Sequence, residues 1–350
     1  MLENVDKNFV VETKINKEDL CFYDIEDGVF GIYGVFKENG LFRRMPEEVA
    51  ARVSDGVYRL HTNTAGGRVR FVTDSSYVTI KTIYEPCFQS HFPLTSSSGF
   101  DMYSEKEGII RYAGTFIPPT NVADGYESII EFPERCERII TINFPLYCNV
   151  SKLYIGLQKS ANVKEASEYG TKKPVVYYGS SITQGACASR PGSCYQSILS
   201  RRFNHDYINL GFAGNAKGEE IMAHYIKTLD MSMFVLDYDH NAPTATELDK
   251  THRRFFEIIR KEHPSIPILI LPRPRWYHRD EDDKRFEVVK NTYLQARANG
   301  DENVYFIDNK QLMALVEDDG SVDNTHPTDS GFLSMARAIE KVMKLCTVQH

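Results

Sequence analysis

The pattern of apolar residues changes halfway along this chain of 350 residues. From about Val29 to Gly156, short apolar or alternating runs are broken by Gly, Pro, Asp and Ser residues, which is typical of antiparallel strands joined by turns. After residue 174, each short apolar run is followed by a loop and then by a segment of helical periodicity. We therefore expect an all-β domain followed by an α/β domain.

The first half predicts an antiparallel sandwich, because many short strands alternate with turn residues. The predicted strands include Val57–His61, Arg68–Thr73, Tyr77–Tyr84, Ile109–Phe116, Ser128–Phe132 and Ile139–Phe144. Glu47–Val53 is the one stretch that predicts a helical turn. We place this domain at residues 1–162 and read the polar segment 163–174 as a linker.

Residues 175–350 predict a doubly wound parallel sheet, in which active sites lie beyond the carboxyl ends of the strands. The predicted strands are Val175–Tyr178, Tyr207–Leu210, Met233–Asp237, Ile266–Leu271 and Val304–Ile307. The predicted helices are Tyr195–Phe203, Glu219–Leu229, Ala245–Lys261, Asp282–Ala298 and Ser330–Leu345. Residues that follow the strands are therefore the candidates for function.

Composition excludes several classes of protein. The formal net charge is −7, and no basic block suggests nucleic-acid binding. No apolar run is long enough to span a membrane. The amino terminus has no signal-peptide pattern, so we expect a cytoplasmic protein, with export of a trimmed precursor left open. The seven cysteines form no CxxC pair, which favours reduced thiols over zinc sites or disulfides.

The loop after the first strand of the α/β domain, Gly179–Gly185, has neither a P-loop nor a G-x-G-x-x-G pattern, so nucleotide binding is disfavoured. Ser181 stands where the strand gives way to a helix, so it is either a helix cap or an exposed nucleophile. Asp323 and His326 have i, i+3 spacing before the last helix. This spacing lets a carboxylate hold one imidazole nitrogen while the other faces a nucleophile, although a solvated loop histidine has the same pattern.

Two further strand ends carry donors suited to an oxyanion. Asn241 offers a side-chain amide, unless it is only a turn residue, and Gly214 offers a backbone N–H with little steric hindrance. His240 and Trp276 follow the third and fourth strands and are candidate substrate contacts; for His240, a solvated position is equally consistent with the sequence.

In combination these residues resemble the SGNH (GDSL-type) hydrolase family. The matching blocks, in chain order, are Gly179–Gly185, Asn209–Asn215, Asp239–Pro243 and Asp323–Pro327. The resemblance implies a flavodoxin-like hydrolase domain, a Ser181–His326–Asp323 triad, and an oxyanion hole formed by Ser181, Gly214 and Asn241. Ser180 replaces the usual Asp of the first block, and Ala242 replaces the Asp that usually follows the asparagine.

The first domain resembles the GxDLY module that precedes such esterase domains, with Gly99–Tyr103 as its signature. That resemblance implies a jelly-roll-like sandwich. One interpretation is a turn at Gly99, capped by Asp101, with Tyr103 packed in the sandwich. The other is that Asp101 and Tyr103 hydrogen-bond the hydroxyl groups of a sugar.

The residues and the resemblance together predict a two-domain serine esterase that acts on a small acyl ester, O-acetyl or short-chain, and needs no metal or organic cofactor. The resemblance implies that the ester is carried by an extended polar molecule such as a decorated sugar. An acyltransferase that uses the same acyl-enzyme is one alternative. A catalytically inactive carbohydrate-binding protein is the other, although Ser181 and His326 are both present.

Overall fold

The structure, a computed structural model, describes residues 13–279 and 281–348, which form two compact units. Unit 1 holds the described residues of Met1–Arg44, together with Thr62–Glu168 and Ser189–Gly192. Unit 2 holds Met45–His61, Tyr169–Ala188 and the described residues of Ser193–His350. None of the helices in the described ranges is both long and apolar enough to cross a membrane.

Unit 1 is built from antiparallel strands. They are β1 (Leu20–Asp24), β2 (Gly31–Tyr33), β3 (Phe36–Glu38), β4 (Leu41–Arg43), β5 (Arg68–Thr73), β6 (Tyr77–Glu85), β7 (Phe100–Lys106), β8 (Ile109–Phe116), β9 (Gly125–Glu131), β10 (Arg138–Asn143), β11 (Asn149–Gln158) and β12 (Val163–Lys164). One sheet has the order β1-β11-β6-β9 and the other β12-β5-β10-β7-β8, with β2 also paired to β5 and a small β3-β4 hairpin.

Alternation along these strands places one face of each sheet in a shared core. In β5, Val69 and Phe71 are fully buried, and they belong to the same apolar cluster as Ile80 of β6, Ile140 of β10 and Ile155 of β11. Both sheets contribute to that cluster, so the predicted antiparallel sandwich is confirmed.

Unit 2 contains a parallel sheet of five strands. They are β13 (Thr171–Gly179), β14 (His205–Gly211), β15 (Met233–Asp237), β16 (Ile268–Ile270) and β17 (Val304–Phe306). The order is β14-β13-β15-β16-β17, with every neighbouring pair parallel. This is the 2-1-3-4-5 order of flavodoxin-like folds, which confirms the predicted class.

Ten α-helices are present in the described residues, and most belong to unit 2. They are α1 (Glu47–Val53), α2 (Asp55–Leu60), α3 (Leu94–Ser97, in unit 1), α4 (Ser181–Gln184), α5 (Tyr195–Phe203), α6 (Glu220–Ile226), α7 (Ala245–Glu262), α8 (Asp282–Ala298), α9 (Asn309–Leu312) and α10 (Asp329–Val348). The five helices predicted from the sequence correspond to α5, α6, α7, α8 and α10.

The prediction of a strand at Val57–His61 is wrong, because this segment lies in α2 and its carboxyl-terminal cap. Ser54 caps the helix by accepting a hydrogen bond from the backbone N–H of Val57 at 3.2 Å. The alternation of apolar and polar residues from Val57 to Leu60 fits a strand. A helix fits equally well, because Val57 is buried and Leu60, three residues later, packs on the same core. The cap decides between the two.

The compact units also divide the chain differently from the predicted boundaries. Segment Met45–His61, placed by the sequence in the first domain, packs into the core of unit 2 through Met45, Ala50 and Val57. Within the predicted linker, Val163–Lys164 pairs with β5, and β13 begins at Thr171.

Candidate active site

The turn between β13 and α4 fixes the position of Ser181. Ser180 caps α4 by accepting a hydrogen bond from the N–H of Ile182 at 3.2 Å, and Gly185 ends the helix at φ 105°. Gly179 leaves no room for a side chain, since a Cβ there would lie 2.3 Å from the carbonyl oxygen of Asp237. Close backbone packing therefore holds Ser181 at the carboxyl edge of the sheet. Ser180, which replaces the usual Asp, caps the helix that begins at Ser181.

Ser181, His326 and Asp323 form one continuous hydrogen-bonded line. The Oγ of Ser181 lies 2.8 Å from Nε2 of His326. The Nδ1 of His326 lies 2.7 Å from Oδ2 of Asp323. With the carboxylate accepting at Nδ1, the ring carries its proton there, and Nε2 is left to accept the proton of the serine hydroxyl.

The loop around Asp323 keeps this carboxylate ionised. Partial burial raises its pKa, but hydrogen bonds from the backbone N–H and the ring of His326 outweigh that effect and bring the pKa below its ordinary value. The N–H groups of His326 and Thr325 donate to Oδ1 at 2.8 and 3.1 Å. One carboxylate oxygen thus organises the loop while the other holds the imidazole.

Two hydrogen-bond donors in the loops that follow β14 and β15 have no acceptor among the described residues. Gly214 has φ 71° and is exposed, and its N–H has no acceptor among the described residues. The side-chain oxygen of Asn241 accepts a hydrogen bond from the N–H of Ala216 at 3.3 Å, whereas its Nδ2 has no acceptor within the described ranges. Both groups remain available to an oxygen of a bound molecule.

His240 lies next to charged groups at the end of β15. Burial and the neighbouring Arg273 lower the pKa of His240 to about 3, although Asp239 opposes the shift. The ring is therefore neutral near pH 7. Trp276 lies in the loop after β16, where Lys310 Nζ sits 5.8 Å from the ring centroid.

Trp276 also lines a small cavity of about 40 Å³ together with Ser321 and Asn324. The tryptophan therefore lies close to the loop that contains Asp323 and His326. No described atom of Trp276 hydrogen-bonds Ser181 or His326, and its substrate contact stays a prediction.

In unit 1, Asp101 of the Gly99–Tyr103 signature is fully buried in β7 rather than at a turn. Its Oδ1 accepts a hydrogen bond from Asn143 at 2.7 Å, and its Oδ2 accepts from the N–H of Gly192 at 2.9 Å and from Arg190 at 3.1 Å. The interpretation of Asp101 as a turn cap is wrong. Its carboxylate is already saturated by donors of unit 1.

Sequence reasoning missed three features beside the candidate site. Cys187 adopts φ 68°, and its Sγ lies within 4.8 Å of a ring nitrogen of His326. Asp237 is buried below the Ser181 turn and accepts hydrogen bonds from Thr183 and Tyr195. Arg273 and Arg275 bind a buried carboxylate, that of Asp282. Their position directly after a strand of the parallel sheet is the sequence feature that could have identified them.

Comparison with known proteins identifies both halves of the chain. Residues 172–344 match the GDSL-like lipase/acylhydrolase family. Residues 20–163 match the GxDLY family, described as the N-terminus of SGNH-hydrolase-type esterases. No curated protein sequence matches the chain significantly.

Solved structures share the fold over nearly the whole chain. A Bacteroides ovatus protein with the description GDSL-like lipase is 26% identical, with a TM-score of 0.84 over 94% of this chain and 98% of the other. A salicylyl-acyltransferase from a tetracycline biosynthetic pathway is 19% identical, with a TM-score of 0.73 over 95% and 99%. A family two carbohydrate esterase from Cellvibrio japonicus is 11% identical, with a TM-score of 0.62 over 93% and 98%. The chain thus belongs to the GDSL-like lipase/acylhydrolase family of SGNH hydrolases and carries the GxDLY module at its amino-terminal side.

Proposed function

We propose that this protein is a serine esterase that removes short acyl groups, acetyl foremost, from esters of carbohydrates. The observation that carries the proposal is the hydrogen-bonded line from Ser181 through His326 to Asp323, with distances of 2.8 and 2.7 Å. A hydroxyl, an imidazole and a carboxylate in that order are the parts of an acyl-transfer triad.

In the first half of the reaction, Nε2 of His326 accepts the hydroxyl proton while Oγ of Ser181 attacks the acyl carbonyl carbon. A tetrahedral adduct forms, and the imidazolium then gives its proton to the leaving alcohol oxygen. Asp323 holds the ring in the required tautomer and stabilises its positive charge. The products of this half are the free alcohol and an ester of Ser181.

The negative oxygen of the adduct needs donors that are in place before the reaction. The N–H of Gly214 and Nδ2 of Asn241 have no acceptors among the described residues and serve this oxygen in the proposal. The N–H of Ser181 adds a third donor. In the second half, His326 takes a proton from water as the water oxygen attacks the acyl carbon, and the imidazolium then returns that proton to Oγ of Ser181 as the acyl–oxygen bond breaks, which releases the acid.

Two observations support a carbohydrate ester as substrate. The family two carbohydrate esterase shares the fold over 93% of this chain, including the part that precedes the α/β unit. His240, neutral near pH 7 and half-buried, offers a polar ring beside Asn241 for a sugar hydroxyl.

Acyl transfer to an alcohol is the second candidate function. The salicylyl-acyltransferase has the same fold over 95% of this chain, and the same acyl-enzyme serves both reactions. Hydrolysis and transfer differ only in whether water or another alcohol attacks that intermediate. The third alternative, an inactive binding protein, is disfavoured by the complete hydrogen-bonded triad.

The deciding experiment compares the parent protein with Ser181→Ala on p-nitrophenyl acetate and on a panel of acetylated sugars. We expect turnover to fall to about the level left by the oxyanion donors alone, on the order of 10³-fold or more below the parent. The matched control is Ser232→Ala, since Ser232 precedes β15 and lies at the opposite end of the sheet strands. A fluorophosphonate probe should label the parent and the control but not Ser181→Ala.

Product analysis separates the two candidate functions. The parent is incubated with an acetyl ester in the presence and absence of a sugar alcohol as acceptor. Acetate as the main product in both mixtures supports the esterase. A new acetylated acceptor at the expense of acetate supports the acyltransferase, and turnover unchanged in Ser181→Ala contradicts both.

A further inference from the structure

A cluster of arginines and aspartates lies in unit 2 between the loop that carries Asn241 and the loop that carries His326. We define the arginine–aspartate cluster by its members: Asp239, Arg273, Arg275, Asp282 and Arg285. The two carboxylates are nearly inaccessible, with side chains 2% and 3% exposed for Asp239 and Asp282. Buried charges persist only when they are paired and hydrogen-bonded, so the pairing in this cluster is specific.

Asp282, in the first turn of α8, is the centre of the cluster. Its Oδ1 accepts a hydrogen bond from Arg273 at 2.6 Å. Its Oδ2 accepts one from Arg275 at 2.6 Å and one from the backbone N–H of Arg279 at 2.9 Å. Burial raises the pKa of Asp282, but these donors lower it below the ordinary value, so the carboxylate is ionised at neutral pH.

Arg275 reaches from Asp282 to the peptide between the two triad residues. Its Nη2 donates to the backbone oxygen of Asn324 at 3.2 Å and lies 3.5 Å from Oγ1 of Thr325. Asn324 has φ 63°, a left-handed conformation that asparagine adopts more readily than most other residues with a side chain. The guanidinium of Arg275 thus contacts the bend that brings Asp323 and His326 face to face, and this contact adds to the asparagine's own preference for the bent conformation.

The backbone of Arg275 is fixed from its other side. The side-chain amide of Asn309, in α9, donates to the carbonyl oxygen of Arg275 at 2.6 Å. The guanidinium binds two separate partners through Nη1 and Nη2, and the backbone of the same residue is anchored as well, so the side chain is held in one position that a lysine ammonium cannot reproduce in full.

The other end of the cluster holds the loop of Asn241. Arg273 donates to Asp239 from its backbone N–H at 3.0 Å and from Nε at 3.3 Å. Arg285 donates to the carbonyl oxygens of Asp239 and Ala242 at 3.1 and 2.8 Å. The oxyanion asparagine thus lies between two backbone groups that the cluster fixes.

We propose that Arg275, oriented by Asp282, is a positioning residue that sets the alignment of the Asp323–His326 pair on Ser181. The proposal rests on the proposed function, because it assigns a role to Arg275 within that same site. Arg275 touches no reacting atom in this scheme. It acts through the Asn324–Thr325 backbone, so its loss lowers kcat with little change in KM.

The test compares Arg275→Gln and Arg275→Lys with Arg279→Gln as the matched control. Arg279→Gln removes the same charge from the same loop, and among the described residues the guanidinium of Arg279 hydrogen-bonds only the exposed side chain of Asn324, at 3.3 Å, while its backbone bond to Asp282 is kept in the variant. We expect Arg275→Gln to lower kcat on p-nitrophenyl acetate about 10- to 100-fold with KM within about twofold, as misplacement of a catalytic group does. The rate of fluorophosphonate labelling should fall with kcat.

Arg275→Lys keeps the charge but has one ammonium in place of the two Nη groups that bind Asp282 and Asn324, so it should recover only part of the lost kcat, with a value between those of Arg275→Gln and the parent. Arg279→Gln should keep parental kcat and KM. A folded Arg275→Gln with parental kcat, or an equal loss in Arg279→Gln, overturns the proposal.

Thermal unfolding shows whether each variant is folded. If Arg275→Gln does not fold, Asp282→Asn takes its place. This variant keeps the shape of the side chain and removes the charge that orients Arg275. A lower kcat in Asp282→Asn supports the proposal, and an unchanged kcat overturns it. Failure of the proposed function itself is separate, because it shows as an inactive parent or as turnover that survives Ser181→Ala.

Discussion

The backbone N–H of Ala216 donates a hydrogen bond to the side-chain oxygen of Asn241 at an N···O distance of 3.3 Å. This contact orients the amide, because the oxygen is occupied by the loop that contains Gly214 and the Nδ2 group is turned away from it. Two strand ends are thereby linked through one side chain. The link explains how an asparagine on a short 3-10 turn (Asp239–Asn241) keeps a defined orientation.

Asn241→Ala tests whether this amide serves the transition state. We expect kcat to fall about 10²-fold with KM little changed, because a donor to an oxyanion acts mainly in the transition state. Steady-state kinetics on p-nitrophenyl acetate give both constants. Asn241→Asp has a side chain of the same size with a carboxylate in place of the amide, and it should be at least as impaired. A parental kcat in both variants would mean that only the backbone amides donate to the oxyanion.

Gly56→Ala tests whether α2 supports the loop of Gly214. A Cβ at Gly56 would lie 1.8 Å from Oδ1 of Asn215, whose Nδ2 already donates to the carbonyl of Ala213 at 2.7 Å. The amide of Asn215 must move to admit the methyl group and then loses its hydrogen bond to the loop of Gly214, so we expect about a tenfold loss of kcat and a lower melting temperature. Gly28→Ala is the control, since no atom lies within 4 Å of the added Cβ. Equal effects of the two substitutions would contradict this account.

Strand ends and motif order were enough to predict where the candidate site lies. Ser181, Asn241 and His326 follow separate strands of a parallel sheet or precede its last helix, so the topology brings them to one edge. Periodicity predicted all five strands of that sheet. In this half of the chain the secondary structure favoured by the local sequence is the one found in the fold, so residue spacing predicted the elements and the position of the candidate site.

The remaining features depend on contacts that spacing does not encode. Alternation in Val57–His61 fits a strand, and only the cap from Ser54 and packing against unit 2 make it a helix. In the sequence Arg273 and Arg275 look like solvated loop residues, and only the folded loop brings their guanidinium groups to the carboxylate of Asp282. Side-chain pairing across loops is a tertiary property, and a single sequence gives no measure of it.

Cys187→Ala tests whether the thiol beside His326 takes part in the reaction. Burial, and the nearby charge of Asp323, raise the pKa of Cys187 to about 12, so the thiol stays protonated at neutral pH and is a poor nucleophile. We expect kcat within about twofold of the parent, since the nucleophile in our proposal is the hydroxyl of Ser181. Alanine retains the Cβ, so the left-handed backbone at φ 68° is equally strained in both proteins. Turnover and fluorophosphonate labelling lost as completely as in Ser181→Ala would show that the nucleophile is misassigned.

Asp237→Asn tests a pH-dependent contribution to stability beneath the Ser181 turn. Burial raises the pKa of Asp237 from 3.8 to about 7, although hydrogen bonds from Thr183 and Tyr195 at 2.9 and 3.0 Å oppose the shift. The folded protein therefore holds this proton more tightly than the unfolded chain does. The resulting stabilisation is complete below about pH 4 and is lost as the pH rises to about 7.

An asparagine keeps an acceptor for Thr183 and Tyr195 but carries no titrating proton, so the variant lacks this loss of stability. Melting temperatures at pH 5, 6, 7 and 8 should show the variant gaining on the parent by about 2 °C or more across the range, with the gain levelling above pH 7. Asp230→Asn is the control, because its side chain is 80% exposed. Parallel curves for the parent and Asp237→Asn would mean that Asp237 does not hold a proton in the folded protein at these pH values.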